Sequence, residues 1–116
     1  MPARPPRLKR RREFQRVAAR GTRAARPGVV VQALPAPGGL RVGFTATKRI
    51  GNAVIRNRAK RRLREAARLL LGEGREGHEV VLICREATAT RDFATLLGDL
   101  RGALRQAGVA LPEAGR

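Results

Sequence analysis

The apolar pattern of this 116-residue chain predicts an α+β fold, a small mixed sheet with helices packed on it in the order α-β-β-α-β-α. Three observations carry the prediction. Residues Leu40–Thr47 alternate apolar and polar, which marks a strand with one covered face. Apolar residues between Ile55 and Leu70 recur at steps of four and three, which marks an amphipathic helix. Glu79–Arg85 is almost all apolar, as a strand covered on both faces would be. With 42% hydrophobic residues, the chain suffices for a single domain over 1–116 with a modest core.

Taken in order, residues 1–10 read as a basic flexible arm, rich in proline and cations. Arg11–Arg20 predicts a short helix with Phe14, Val17 and Ala18 inward, stopped by Gly21. Val29–Leu34 is a first strand, ending in the turn signal Pro35-Ala-Pro-Gly-Gly39. Leu40–Thr47 follows as a second strand, and the two suggest a hairpin. Asn52 is placed to cap the next helix and Gly72 to end it. Its inward stripe is Ile55, Ala59, Leu63, Ala66 and Leu70, while Asn57, Arg61, Arg64 and Arg68 repeat on the opposite face, flanked by Arg56, Arg58, Lys60 and Arg62. After the third strand, Thr90 is the candidate cap of a last helix with Phe93, Leu97, Leu100, Leu104 and Ala107 inward; residues 109–116 read as a frayed tail. The hand of any crossover between the second and third strands is not legible from this pattern.

Charge is distributed unevenly. Residues 1–64 carry nineteen Lys or Arg against one acid, Glu13, whereas residues 65–116 carry seven against eight, so the net charge of +17 lies in the first half. Such a concentration repels itself in a compact fold and points to a polyanionic partner. Of the 26 cations 23 are arginine, for which bidentate phosphate recognition and codon bias in an Ala- and Gly-rich chain are both sufficient explanations. The densest stretch is Lys48–Glu65, where eight of eighteen residues are cationic and interleaved with apolar ones at helical spacing, as in an ordered helix that presents cations. Cys84 is alone and lies in an apolar run, which excludes an internal disulfide and fits a core thiol in a reducing compartment. No apolar run reaches spanning length, and the expected location is cytoplasmic, without membrane association.

The residue classes of a self-sufficient nuclease are missing. Metal-dependent hydrolysis needs clustered carboxylates, and acid–base chemistry needs a matched pair. The lone His78 sits in a glycine- and glutamate-rich turn region, and Glu73, Glu76 and Glu79 read more readily as loop solvation than as cation ligands. No metal site and no catalytic residue is expected on the protein. Aromatic content is 3%, confined to Phe14, Phe44 and Phe93, which argues against a sheet that stacks successive bases. Structured RNA or DNA read through its backbone is the favoured target class.

The segment Lys48-Arg-Ile-Gly-Asn-Ala-Val-Ile-Arg-Asn-Arg-Ala-Lys-Arg-Arg-Leu-Arg64 closely resembles the protein component of bacterial ribonuclease P, whose pattern is a basic pair, Gly-Asn-Ala-Val, Arg-Asn-Arg, then Lys-Arg and a further Arg. Arg7-Leu8-Lys9 with Phe14 and Gly21-Thr22 resembles that family's first helix, and Arg41-Val-Gly-Phe-Thr its following strand, so the similarity spans roughly residues 5–108. The resemblance implies the family's α+β fold, which is similar to the second domain of a small-subunit ribosomal protein. It implies an endoribonuclease whose catalytic RNA subunit uses Mg²⁺, bound mainly by the RNA, to remove the 5′ leader of precursor tRNA. The chain would then be the non-catalytic subunit, with ribonuclease P RNA and precursor tRNA as partners and no small-molecule substrate. Carried over by position, Lys48, Arg49, Asn52, Arg56, Asn57, Arg58, Lys60, Arg61 and Arg64 would face the catalytic RNA. Phe14, Thr45 and Arg85 would line a cleft for the leader, while Ala18 and Gln32 stand where relatives often carry aromatic residues. A ribosomal or RNA-chaperone-like basic protein is the alternative with the same electrostatics, and a stand-alone nuclease is disfavoured by the missing carboxylates.

Overall fold

The computed structural model describes residues 5–72 and 77–111. Helix α1 (Arg11–Arg20) leads into strands β1 (Thr22–Arg26), β2 (Val29–Pro35) and β3 (Arg41–Thr45); helix α2 (Ala53–Leu71), strand β4 (His78–Cys84) and helix α3 (Phe93–Gln106) follow. Single 3-10 turns at Lys48–Ile50 and Glu86–Ala89 precede α2 and α3. The sheet order is β1-β2-β4-β3; β1–β2 and β2–β4 are antiparallel, while β3 and β4 are parallel and joined through α2. The result is the expected α+β architecture with one strand more than the apolar pattern predicts.

Several expectations are corrected. β1, with two arginines and two alanines in five residues, carries little strand propensity of its own and forms because it zips onto β2 across the Pro27-Gly28 turn. The hairpin is therefore β1–β2 and not β2–β3. β4 inserts between β2 and β3 because Val80, Val81 and Leu82 are buried on alternating faces, and only a central strand is covered on both. His78 accordingly begins β4 opposite Pro35, half-buried, instead of decorating a turn.

α2 and α3 share one face of the sheet. Val29, Val31 and Ala33 of β2, Val80, Leu82 and Cys84 of β4 and Val42 of β3 meet Ala59, Leu63 and Ala66 of α2 and Leu96, Leu100 and Leu104 of α3. Leu63 is fully buried, and trimming it to alanine would cost about 2–5 kcal/mol. Burial in α2 drifts from the predicted stripe: Ile55 is exposed, Leu70 is half-buried, and Ala67 and Leu71 are buried. The Asn52 carboxamide oxygen accepts from the Ile55 N–H at 3.0 Å, and Gly72 ends α2 with φ of 58°, a conformation that favours glycine. α3 is capped by Asp92, which accepts from the Thr95 N–H at 3.1 Å, and not by Thr90.

On the opposite face, α1 packs by itself among the described elements. Val17 is the single fully buried side chain of this helix, meeting Leu8 and Val81, with Phe14, Leu34 and Ile83 around them; Ala18 faces solvent. The expected arm is docked from Pro5 onward. The Leu8 N–H donates to the Val42 carbonyl at 3.1 Å, and the Val42 N–H donates to the Pro6 carbonyl at 2.8 Å, along the outer edge of β3. The expected tail begins docked as well, since Val109 is buried and its N–H donates to the Leu104 carbonyl at 2.9 Å. Residues 1–4, 112–116, Glu73 and Glu76 lie outside the described residues.

Candidate nucleic-acid interface

Because α2 docks through one stripe of alanines and leucines, its remaining circumference is free to carry charge. Asn57, Arg58 and Arg61 are exposed, and Lys60 and Arg64 are half-buried at the flanks. Asn57 and Arg61 are one turn apart and share a face with Val54, which is 75% exposed. Arg56 donates to the Gly51 carbonyl at 2.9 Å and so holds the turn that starts the helix. That turn presents Lys48 and Arg49 to solvent. Asn52 sits on the same surface, but its oxygen is committed to the cap. Arg62 differs from its neighbours. Its guanidinium donates to the Thr88 carbonyl at 2.6 Å and to the Arg91 carbonyl, and lies 5.9 Å from the Phe93 ring centre. It ties α2 to the start of α3, a structural task that its place in a cationic row conceals.

The α1 side of the sheet carries Arg41, Gly43 and Thr45 of β3, in register with Glu79, Val81 and Ile83 of β4. Phe14 reaches this surface because Gly43 makes room. A Cβ at Gly43 would stand 2.5 Å from the Phe14 ring, so the ring rests directly on the strand. Beyond it, a groove of about 480 Å³ opens between Arg23, Arg49 and Arg85, floored by Val30, Ile50 and Ile83. Arg85 leans across it and donates to the Arg26 carbonyl at 3.0 Å. Of the three residues assigned to a leader cleft, Arg85 lines this groove. Phe14 and Thr45 occupy the same side of the sheet outside its lining. Gln32 is half-buried opposite Val81. Arg23, which lies on the strand with no apolar signature, and Gly43, the seat of Phe14, belong to this surface without being singled out by sequence.

Two carboxylates organise the cations here. Glu13 accepts from the Arg10 and Lys9 N–H groups, both at 2.9 Å, and its other oxygen meets Arg41 at 2.7 Å. Those backbone hydrogen bonds first, and then Arg41, hold its carboxyl down at about 2. Glu79 is 4% exposed and lies between Arg16, at 2.5 Å, and Arg41. Burial pushes its carboxyl up, but hydrogen bonds from the two guanidiniums outweigh burial and leave it lowered. Neither acid is left to repel a phosphate.

A family model for ribonuclease P matches residues 2–108. The ribonuclease P protein component of Gluconacetobacter diazotrophicus is 53% identical over 110 residues, covering 89% of this chain and 91% of that one. The chain belongs to the ribonuclease P protein family. The component from Paramagnetospirillum magneticum is 47% identical over 115 residues, covering 93% and 86%. The solved ribonuclease P protein of Thermotoga maritima superposes with a TM-score of 0.75 at 28% identity, covering 86% of this chain and 96% of that one. Membership makes the chain an RNA-binding component of an endoribonuclease complex, with ribonuclease P RNA as partner and the tRNA 5′ end as the site of processing. Among the described residues no helix is long and apolar enough to cross a membrane.

Proposed function

We propose that this ribonuclease P protein holds two RNAs on two surfaces while the RNA subunit performs the hydrolysis. The outer face of α2, with Lys48 and Arg49 before it, binds the catalytic RNA. The α1 side of the sheet, from Phe14 past Thr45 to Arg85, receives the single-stranded leader of precursor tRNA. The observation that carries this reading is the placement of α2 on one face of the sheet and Phe14 on the other, with Arg49 at the junction, where it also borders the groove. Phosphate contacts from α2 supply affinity and register, and the exposed edge of Phe14 offers one base a stacking surface.

Among the described residues no three His, Cys, Asp or Glu side chains gather into a set that could hold a metal ion, and Glu13 and Glu79 are saturated by their donors. The described residues offer no such set for a resident Mg²⁺, and in this proposal Mg²⁺ belongs to the RNA. The chain takes no small-molecule substrate and works in the cytoplasm.

Tethered cleavage tests the two-surface reading. Cys84 is buried, and burial pushes its thiol up to about 11, so introduced cysteines are labelled in preference. An iron chelate on Asn57→Cys should cut ribonuclease P RNA, and one on Thr45→Cys should cut the leader of bound precursor tRNA. The same cuts from both positions would contradict it.

A further inference from the structure

α1 is fastened to the sheet by few apolar side chains: Val17 is fully buried, and Phe14 packs half-buried beside it. Those two contacts alone leave the helix freedom to slide or rotate on the sheet, and polar contacts add to them. Glu79 rises from the central strand and binds Arg16 of α1 on one oxygen and Arg41 of β3 on the other. Arg41 then reaches Glu13, one residue before Phe14, at 2.7 Å. The four side chains make a closed chain from helix to sheet and back to the helix. Two residues along β3 from Arg41, the Phe14 ring sits on Gly43.

We infer that Glu79, through Arg16 and Arg41, is a positioning residue that sets α1 on the sheet and thereby places Phe14 for the leader. The inference rests on the proposed leader surface. A nearly buried carboxylate beneath an RNA-binding face is costly unless fully paired, and buried ionic groups are best attested as devices that select one geometry. Its neighbours explain its charge state: Arg16 and Arg41 pair with Glu79, and Glu13 balances the remaining valence of Arg41. Glu79 touches no reacting atom. It acts through the helix.

The experiment compares affinity for precursor tRNA with affinity for mature tRNA in the reconstituted complex. Phe14→Ala should lower that ratio about fivefold or more, the lower range of a base–aromatic stack. Glu79→Gln should lower it to a similar extent, leaving the affinity and salt dependence of ribonuclease P RNA binding unchanged. In the Phe14→Ala background Glu79→Gln should add nothing, since it acts through Phe14, whereas a general loss of structure would add its own effect. Arg16→Gln removes one arm of the network from a half-exposed position and should give an intermediate loss even if Glu79→Gln does not fold. A wild-type ratio in folded Glu79→Gln or in Arg16→Gln, or additive losses in the double variant, would overturn the inference. If Phe14→Ala also leaves the ratio unchanged, the leader surface itself is misplaced and both claims fall.

Discussion

Across residues 1–64 the chain sets nineteen cations against one carboxylate, and the structure gives that carboxylate three partners. Glu13 closes the first turn of α1 by accepting from two backbone N–H groups, as an acidic residue at a helix start does well, and also holds Arg41. Its folded value of about 2 lies below its ordinary 4.5. A lowered carboxyl contributes stability that is complete above about pH 4.5 and is lost as pH falls toward 2. Thermal unfolding followed against pH should therefore show a loss through that window, and Glu13→Gln should be less stable above it and flatter within it. Identical pH profiles for the two proteins would remove Glu13 from these contacts. The residue scale also shows where a row of like residues misleads. Arg62 and Arg61 are adjacent and chemically identical, yet Arg62 is spent on the Thr88 and Arg91 carbonyls while Arg61 faces solvent. No local pattern distinguishes them, because the acceptors of Arg62 arrive 26 and 29 residues later.

At the scale of elements, the parts readable in advance are those whose signals are local. α1 runs over the expected Arg11–Arg20; α2 begins after Asn52 and ends at Gly72, where cap and stop residues stand; β4 is central, as its two-faced apolar run requires. The features that sequence does not reveal are non-local. β1 exists because β2 is beside it, the order β1-β2-β4-β3 depends on pairing across α2, and Leu8 is buried only because β3 offers an open edge. The candidate site divides the same way. The α2 surface is legible as periodic charge, whereas the α1-side groove draws Arg23, Arg49 and Arg85 from three separate parts of the chain. For α2 the decisive property is electrostatic. Neutralising Arg56, Arg61 and Arg64 together should weaken binding to ribonuclease P RNA and flatten its salt dependence by roughly 0.7–0.9 log units for each phosphate that is no longer neutralised. A slope equal to that of the parent would take these residues out of the interface. A weaker affinity accompanied by a weaker helix signal would assign them to folding.

For the whole molecule, the arrangement is a sheet with α2 and α3 on one face and α1 on the other, the two sides that the proposal gives to two RNAs. α2 and α3 build the main core on one side, where the larger set of buried apolar side chains lies. The other side is held by a small cluster around Val17, Leu8 and Phe14 and by an ionic network, and Arg23, Arg49 and Arg85 border an open groove there. The excess of positive charge then has a physical reason: a compact domain tolerates such self-repulsion when a polyanion offsets it in the working assembly. In the proposed division of labour, this chain positions a catalyst without being one. The decisive measurement is cleavage of precursor tRNA at low Mg²⁺, with the chain alone, ribonuclease P RNA alone and the two combined. Strong cleavage at the mature 5′ end is expected only in the mixture, with none from the chain alone; cleavage by the protein in the absence of the RNA would contradict the proposal.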